Sequence, residues 1–266
     1  MVVPFINWQD MGNNMTKRIL VLYFSGVDNT KYVAETISSF IPTNYMFDIK
    51  SVEQIDENFD FSRYDKLILG TSTIHSEPAK PMKVFLRSIK RLKNPVPTFL
   101  FATYGLYPEN VLRTFAKLCT PKNIIPIHYA GYRCRATDGM LLAPTIRFFR
   151  NNEKDLAKKI EQDVHKFIND NNIYYKKPKY KWYGLLNYPN KWLGQCFHFK
   201  IFLHKEHCIQ CNKCIIKCPV GAIENNSDNY PNVDRKQCIN CYRCIYHCPC
   251  KALSLSKNDK MKHIGT

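Results

Sequence analysis

The sequence predicts an α/β architecture: a doubly wound, five-stranded parallel sheet followed by a small α+β domain rich in cysteine. Three observations predict it. Between residues 17 and 170, short apolar runs alternate with amphipathic stretches of helical length. Nine of the twelve cysteines fall between Cys208 and Cys250, and a chain with 45% apolar and 13% aromatic residues has enough side chain to bury a core in each part. The 10 glycines and 15 prolines are dispersed, which excludes collagen-like and low-complexity chains. No apolar run approaches the roughly 18 residues that a membrane-spanning helix needs.

The elements follow in order. Residues 1–16 read as an N-terminal extension, without the charged start, apolar stretch and small-residue cleavage site of a secretory signal, so a cytoplasmic protein is expected. The run RILVLYF, Arg18 to Phe24, is the first strand, and Thr30 to Phe40 is the first helix. Further strands are expected at Tyr45 to Ile49, Lys66 to Gly70, Thr98 to Ala102 and Ile124 to Tyr129. Helices are expected near Pro81 to Leu92, Glu109 to Leu118 and Asn152 to Asn169. Such sheets bind ligands beyond the carboxyl ends of their strands, where the winding reverses. The loop Ser25-Gly26-Val27-Asp28-Asn29-Thr30 runs straight into a helix, so its amides and hydroxyls can cradle a phosphate.

Cysteine carries the sharpest signal. Cys208, Cys211, Cys214 and Cys218 precede Pro219 as C-x2-C-x2-C-x3-C-P, and Cys238, Cys241, Cys244 and Cys248 precede Pro249 with the same spacing. Three closely spaced thiolates wrap one [4Fe-4S] cluster, and the fourth reaches the other cluster. The expected sets are therefore Cys208, Cys211, Cys214 and Cys248 for one cluster, and Cys238, Cys241, Cys244 and Cys218 for the second. A pair of zinc sites is the alternative, although zinc ligands usually come in pairs rather than runs of four ending in Pro. Cys250 reads as a small buried hydrophobe or a spare ligand.

From His207 to about Ser256 the chain resembles the bacterial dicluster ferredoxins, including CPVGAI at Cys218 to Ile223, with Asn212 and Tyr242 where that family often has Gly. The segment YFSGVDNTKYVAE resembles the phosphate loop of flavodoxins. That resemblance implies a flavodoxin-like sheet holding FMN, with Ser25, Gly26, Val27, Asp28, Asn29 and Thr30 at the phosphate. Thr71, Ser72, Thr73 and His75, and then Thr103, Tyr104 and Gly105, would lie at the ring, with Tyr104 either stacking on it or serving as a surface tyrosine. Val27 and Asp28 replace the usual Thr and Gly. A carboxylate about 4 Å from the phosphate would repel it by roughly 4 kcal/mol at an effective dielectric near 20, unless Asp28 faces solvent. The whole chain resembles the flavodoxin-ferredoxin fusion proteins of anaerobic bacteria (EFR-type ferredoxins). The family resemblance implies domains at 17–170 and 207–266 joined by a basic aromatic strap at 171–206, and low-potential electrons passing between two [4Fe-4S] clusters, FMN and a partner protein.

Charge narrows the partner. The chain has 39 Lys or Arg against 22 Asp or Glu, a formal +17, and residues 171–266 hold 16 of the former and 5 of the latter. An acidic redox protein is the expected partner, and nucleic acid or weak contact with an anionic membrane surface is a lesser expectation. Neither G-x-G-x-x-G nor G-x-x-x-x-G-K-[ST] occurs, so electrons are expected from another protein rather than from a nicotinamide site within the chain. Two rivals remain: a reductase of a quinone, tetrapyrrole or metal chelate, with Gly131 to Arg150 as its pocket loop, and a flavin-free redox sensor.

Overall fold

The structure is a computed structural model that describes residues 17–108, 110–142, 145–150, 152–181 and 199–257. The expected N-terminal extension and the middle of the basic strap lie outside the described residues. The first domain runs β1 (Arg18–Phe24), α1 (Asn29–Ser39), β2 (Met46–Ser51), β3 (Lys66–Ile74), β4 (Glu77–Pro78), α2 (Lys80–Ser88), β5 (Val96–Tyr104), α3 (Val111–Cys119), β6 (Ile124–Arg133), two short helices α4 (Thr137–Leu142) and α5 (Arg147–Arg150), and α6 (Leu156–Asn169). Five strands form a parallel sheet in the order β2-β1-β3-β5-β6, and β4 folds back antiparallel on β3. The winding reverses at β1 and β3, which puts the loops after these strands on either side of one crevice.

Alternating side chains explain why both faces are covered. Leu20, Leu22 and Phe24 of β1 enter a core with Met82, Leu86 and Phe115 from α2 and α3. Ile19 and Val21 enter another with Val33 and Ile37 of α1 and Ile160, Val164 and Phe167 of α6. Lys66 ties this second layer down: its ammonium donates to the carbonyls of Phe167, Ile168 and Asp170, each at 3.0 Å, where α6 ends.

Element boundaries differ from expectation where pairing or turn geometry overrides local pattern. β3, β5 and β6 run beyond their expected ends because Ser72 pairs with Thr103 and Tyr104 with Arg133. The expected loop at residues 71–75 is therefore mostly strand, closed by a tight reversal at His75 (φ 48°) and Ser76 (φ 64°). α2 stops at Ser88 because Ile89 turns extended and is buried. α6 starts at Leu156 after Asp155 in a left-handed conformation.

The second domain is built twice. Each half has a short helix, α7 (Lys213–Ile216) or α8 (Arg243–Tyr246), followed by short strands. Of these, β8 (Ile223–Asn225) pairs with β9 (Pro231–Val233), and β10 (Leu253–Ser254) pairs with β7 (Phe202–Leu203). Positive φ recurs at matching places: Gln210 and Asn240, Asn212 and Tyr242, Gly221 and Lys251. Ile201, Ile223, Tyr242, Ile245 and Leu253 form its core, and Val27 and Leu141 of the first domain pack against it.

Candidate functional site

At the carboxyl ends of the strands, a cavity of about 130 Å³ is lined by Ser25, Gly26, Val27, Asn29, Thr30, Ser72, Thr73, Ile74, His75, Thr103, Tyr104 and Gly105 from the loops after β1, β3 and β5. Segment 134–138 adds Cys134, Arg135, Thr137 and Asp138. The second domain supplies the remaining wall: Asn240, Cys241 and Tyr242. Eleven of the thirteen residues expected at the cofactor thus converge on one space. The larger cavity of about 860 Å³ lies at the opposite end of the sheet, among Lys17, Lys66, Val96 and Asp170, where such sheets do not bind ligands.

Thr71 and Asp28 are the two that do not line it. The Thr71 hydroxyl is taken up inside the fold, accepting from the Ala79 amide at 3.1 Å and donating to the Ser72 carbonyl. Asp28 occupies the position before α1 with φ 64°, which turns its carboxylate outward to 3.6 Å from His247 Nε2. The repulsion expected between Asp28 and a phosphate therefore does not arise in this geometry. Thr30 and Thr103 hydroxyls bond each other at 2.7 Å, and Asn29 donates to the Arg135 carbonyl at 3.0 Å, fixing the loop to segment 134–138.

The donor set fits an anionic, hydrogen-bonding ligand. Ser25 Oγ, Ser72 Oγ and Thr73 Oγ1 are buried with no hydrogen-bond partner in the protein, and all three residues line the cavity. Buried hydroxyls of this kind are normally satisfied by something. The first amides of α1 lie at the same place, at the positive end of the helix. The enclosed volume is below the roughly 300–1,000 Å³ of small-molecule sites, so the position of the wall at Asn240, Cys241 and Tyr242 governs how much of a ligand is enclosed.

The two cysteine loops lie against each other. All eight thiols are free of disulfides. Burial pushes the Cys214 thiol up to about 11, and the neighbouring Cys248 and Cys208 thiols reinforce the shift. Burial likewise pushes Cys241 up to about 11, with Cys238 and Cys218 beside it. Cys244 is raised by burial and by Cys241, Cys238, Cys218 and Cys214. Cys248 is thus near Cys214, and Cys218 is near Cys241. Amides of Ala222 and Ala252 donate to Cys218 and Cys248 Sγ, each at 3.2 Å, again in symmetric places. Among the described residues, no group of three or more His, Cys, Asp or Glu side chains is arranged around a single metal ion. Cys250 is not the buried hydrophobe considered above: it is partly exposed, with its thiol 3.7 Å from that of Cys248.

Arg243, between Cys241 and Cys244, joins the two halves of the site. Its guanidinium is bidentate to Glu53, at 2.7 and 2.8 Å, and donates to the carbonyls of Ser25 and Gly26. Glu53 is held in place by a capping box, in which the Ser51 hydroxyl accepts from the Glu53 amide and Gln54 Oε1 accepts from the Ser51 amide. Ile239 packs against the first domain's core, and the Tyr246 hydroxyl donates to the Thr137 carbonyl. A Cβ on Gly26 would stand 3.0 Å from the Cys241 carbonyl oxygen, so a larger residue there would push the two loops apart by a few tenths of an ångström. The sequence alone gave no sign of Arg243, Glu53, Arg135, Asn240 or Tyr242 at this site, because their roles depend on how the two domains meet.

Family models match the chain twice: a flavodoxin domain over residues 20–125 and a 4Fe-4S dicluster domain over residues 200–249. The chain is a flavodoxin-ferredoxin fusion. Its cofactors are FMN and two [4Fe-4S] clusters, and it is a flavin and iron-sulfur redox protein of electron transfer. Similar solved structures include flavodoxin 1 of Bacillus cereus, 14% identical, covering 57% of this chain and 97% of that one with a TM-score of 0.43. The two-electron reduced flavodoxin of Megasphaera elsdenii is 17% identical, covering 56% and 98%, with a TM-score of 0.42. A Lactobacillus acidophilus flavoprotein in complex with FMN is 21% identical, covering 43% and 93%, with a TM-score of 0.36. No curated protein matches. Among the described residues of the fusion, no helix is long and apolar enough to cross a membrane.

Proposed function

We propose that the fusion is a cytoplasmic electron carrier that holds iron-sulfur clusters directly against a flavin and exchanges electrons with an acidic redox protein. The observation that carries this reading is Cys241, which belongs to a cluster-binding loop and is also a wall of the flavin cavity. Ser25, Asn29, Thr30 and the first amides of α1 would hold the FMN phosphate. Ser72, Thr73, His75, Thr103, Tyr104 and Gly105 would border the ring. Cys208, Cys211, Cys214 and Cys248 would hold one cluster, and Cys238, Cys241, Cys244 and Cys218 the other. When bound, the clusters supply single-electron transfer and FMN takes up or gives one or two electrons.

The chain's own residues position and tune. Amides of Ala222 and Ala252 aimed at Cys218 and Cys248 stabilise negative charge on sulfur, which favours the reduced state. Arg243 adds a cation beside Cys241 while holding the domains together. Segment 131–150, the expected pocket loop of a small-molecule reductase, instead contributes Cys134, Arg135, Thr137 and Asp138 to the same cavity wall. The excess of positive charge steers an acidic partner, with an on-rate that falls as salt rises.

The test is iron, sulfide and FMN analysis of anaerobically purified protein, followed by stopped-flow reduction with a one-electron donor. About eight iron and one FMN per chain are expected, with flavin bleaching slowed at least tenfold when Cys218→Ser removes the neighbouring cluster. Flavin reduction at an unchanged rate in that variant would overturn the direct relay.

A further inference from the structure

The second domain repeats itself with an offset of 30 residues, and its two halves are used differently. In the second half the repeat faces the flavodoxin domain: Ile239 packs on that domain's core, Tyr242 is 6% exposed, Arg243 grips Glu53, and Tyr246 donates to Thr137. The matching residues of the first half are Ile209, Asn212, Lys213 and Ile216. Ile209 is 67% and Ile216 79% exposed, and Asn212, Lys213 and Cys211 are exposed as well. Backbone conformation is the same in both halves, with positive φ at matching positions, so these four side chains share one face as their counterparts do.

We propose that this face, Ile209, Asn212, Lys213 and Ile216 over the cluster loop of Cys208, Cys211 and Cys214, is the docking surface for the acidic redox partner. The inference rests on the electron-carrier reading above and adds where the partner binds. In the second half, an apolar residue, a cation and an apolar residue meet an apolar core edge and a carboxylate. The first half presents the same order of chemistry with Lys213 in the place of Arg243, so it calls for a partner with a carboxylate beside an apolar patch. Two large apolar side chains this exposed within eight residues, Ile209 before the short helix and Ile216 at its end, are the anchor pattern of an interface rather than of a solvated face. Asp228 lies 3.6 Å from Lys205 and Glu206 beside His204, and among the described residues no carboxylate forms an ion pair with Lys213. Lys for Arg suits a transient contact, because a lysine makes no rigid bidentate fork.

The test uses the loaded full-length protein and, as probe, an acidic bacterial ferredoxin, with equilibrium binding to the oxidised probe and stopped-flow reduction by the reduced probe. One electron leaves the probe's cluster and one enters the fusion in each encounter. Lys213→Glu and Ile216→Glu should each lower affinity and second-order rate about tenfold at low salt, with iron content and visible absorbance unchanged. Lys179→Glu, the same charge change on the strap, should change either by less than about twofold. Ile216→Gln, which adds no charge, should reproduce part of the Ile216→Glu effect. If wild-type binding weakens with salt but Lys179→Glu matches Lys213→Glu, or Ile216→Glu has no effect, the partner is acidic but docks elsewhere and this proposal falls. If wild-type binding is indifferent to salt, the acidic-partner reading fails first and takes the surface with it.

Discussion

Arg243→Ala should open the seam between the two domains. The side chain makes two contacts with Glu53 at 2.7 and 2.8 Å and donates to the Ser25 and Gly26 carbonyls. Glu53 is partly exposed and Arg243 largely buried, with side-chain exposures of 33% and 14%. The ion pair then contributes about 1 to 2 kcal/mol and each carbonyl bond about 1 kcal/mol. Removing all of them costs the docked state roughly 3 kcal/mol, or about 150-fold in its opening equilibrium. Hydrogen exchange read by mass spectrometry measures that equilibrium directly, because amides at the seam exchange through local opening. Peptides covering Gly26 to Thr30 and Asn240 to Cys244 should exchange about 150-fold faster, while β5 in the sheet centre stays unchanged. Glu53→Gln alone should give about a fivefold effect, corresponding to roughly 1 kcal/mol, and should add little to Arg243→Ala. Acceleration below about fivefold in Arg243→Ala, or full additivity of the two substitutions, would refute the latch.

Three further outcomes are expected. Gly70→Ala should lower the melting temperature by at least about 5 °C, measured by circular dichroism, because its Cβ would stand 2.0 Å from the Phe101 ring tip in a close-packed core, an overpacking cost of about 1–3 kcal/mol or more. Cys248→Ser should remove the cluster at Cys208, Cys211 and Cys214, and Cys218→Ser the one at Cys238, Cys241 and Cys244; iron analysis should give about four iron per chain in each case. Loss in Cys248→Ser of the cluster beside the flavin would show the pairing to be uncrossed. Tyr64 is pushed up to about 12 by burial and by its hydrogen bond to Asp48. A phenol raised in the folded state adds stability that is complete below the ordinary value of 10 and is lost as pH rises through about 12. Chemical denaturation should therefore show falling stability across that interval, and Tyr64→Phe should flatten the fall.

The sequence made parts of this molecule readable for different reasons. β1 and the cradle before α1 could be placed because an apolar run of strand length meets a polar turn and a helical period within 25 residues, so every determinant is local. The dicluster domain was readable because its cysteine spacing is local in the sequence. The seam was not, since Arg243 and Ser25 stand 218 residues apart and neither shows its partner in its own neighbourhood. Strand ends were misjudged for a related reason: Ser72 and Tyr104 look like loop residues until β5 and β6 are set beside them. Tyr242 looked only like a replacement for Gly. It takes the same left-handed backbone, at φ 59°, lines the cavity and is buried, so the strain of an aromatic residue in that conformation is balanced by burial.

Val27 and Asp28, the two departures from the flavodoxin pattern, follow from the fusion itself. Here Val27 packs against the ferredoxin core, and Asp28 points at His247 on the same lobe. Burial lowers the pKa of His247 while Asp28 opposes that shift, so the contact is polar at its rim and apolar beneath. The exchange gives up a possible phosphate donor and gains a contact that exists only when the second domain is docked. Ser25, Gly26, Asn29 and Thr30 line the cavity, and Val27 borders both the cavity and the ferredoxin core. The loop therefore serves the cavity and the neighbouring domain together: Val27 borders both, Asp28 turns to the second domain, and these two departures from the flavodoxin pattern set the cluster loop against the cavity.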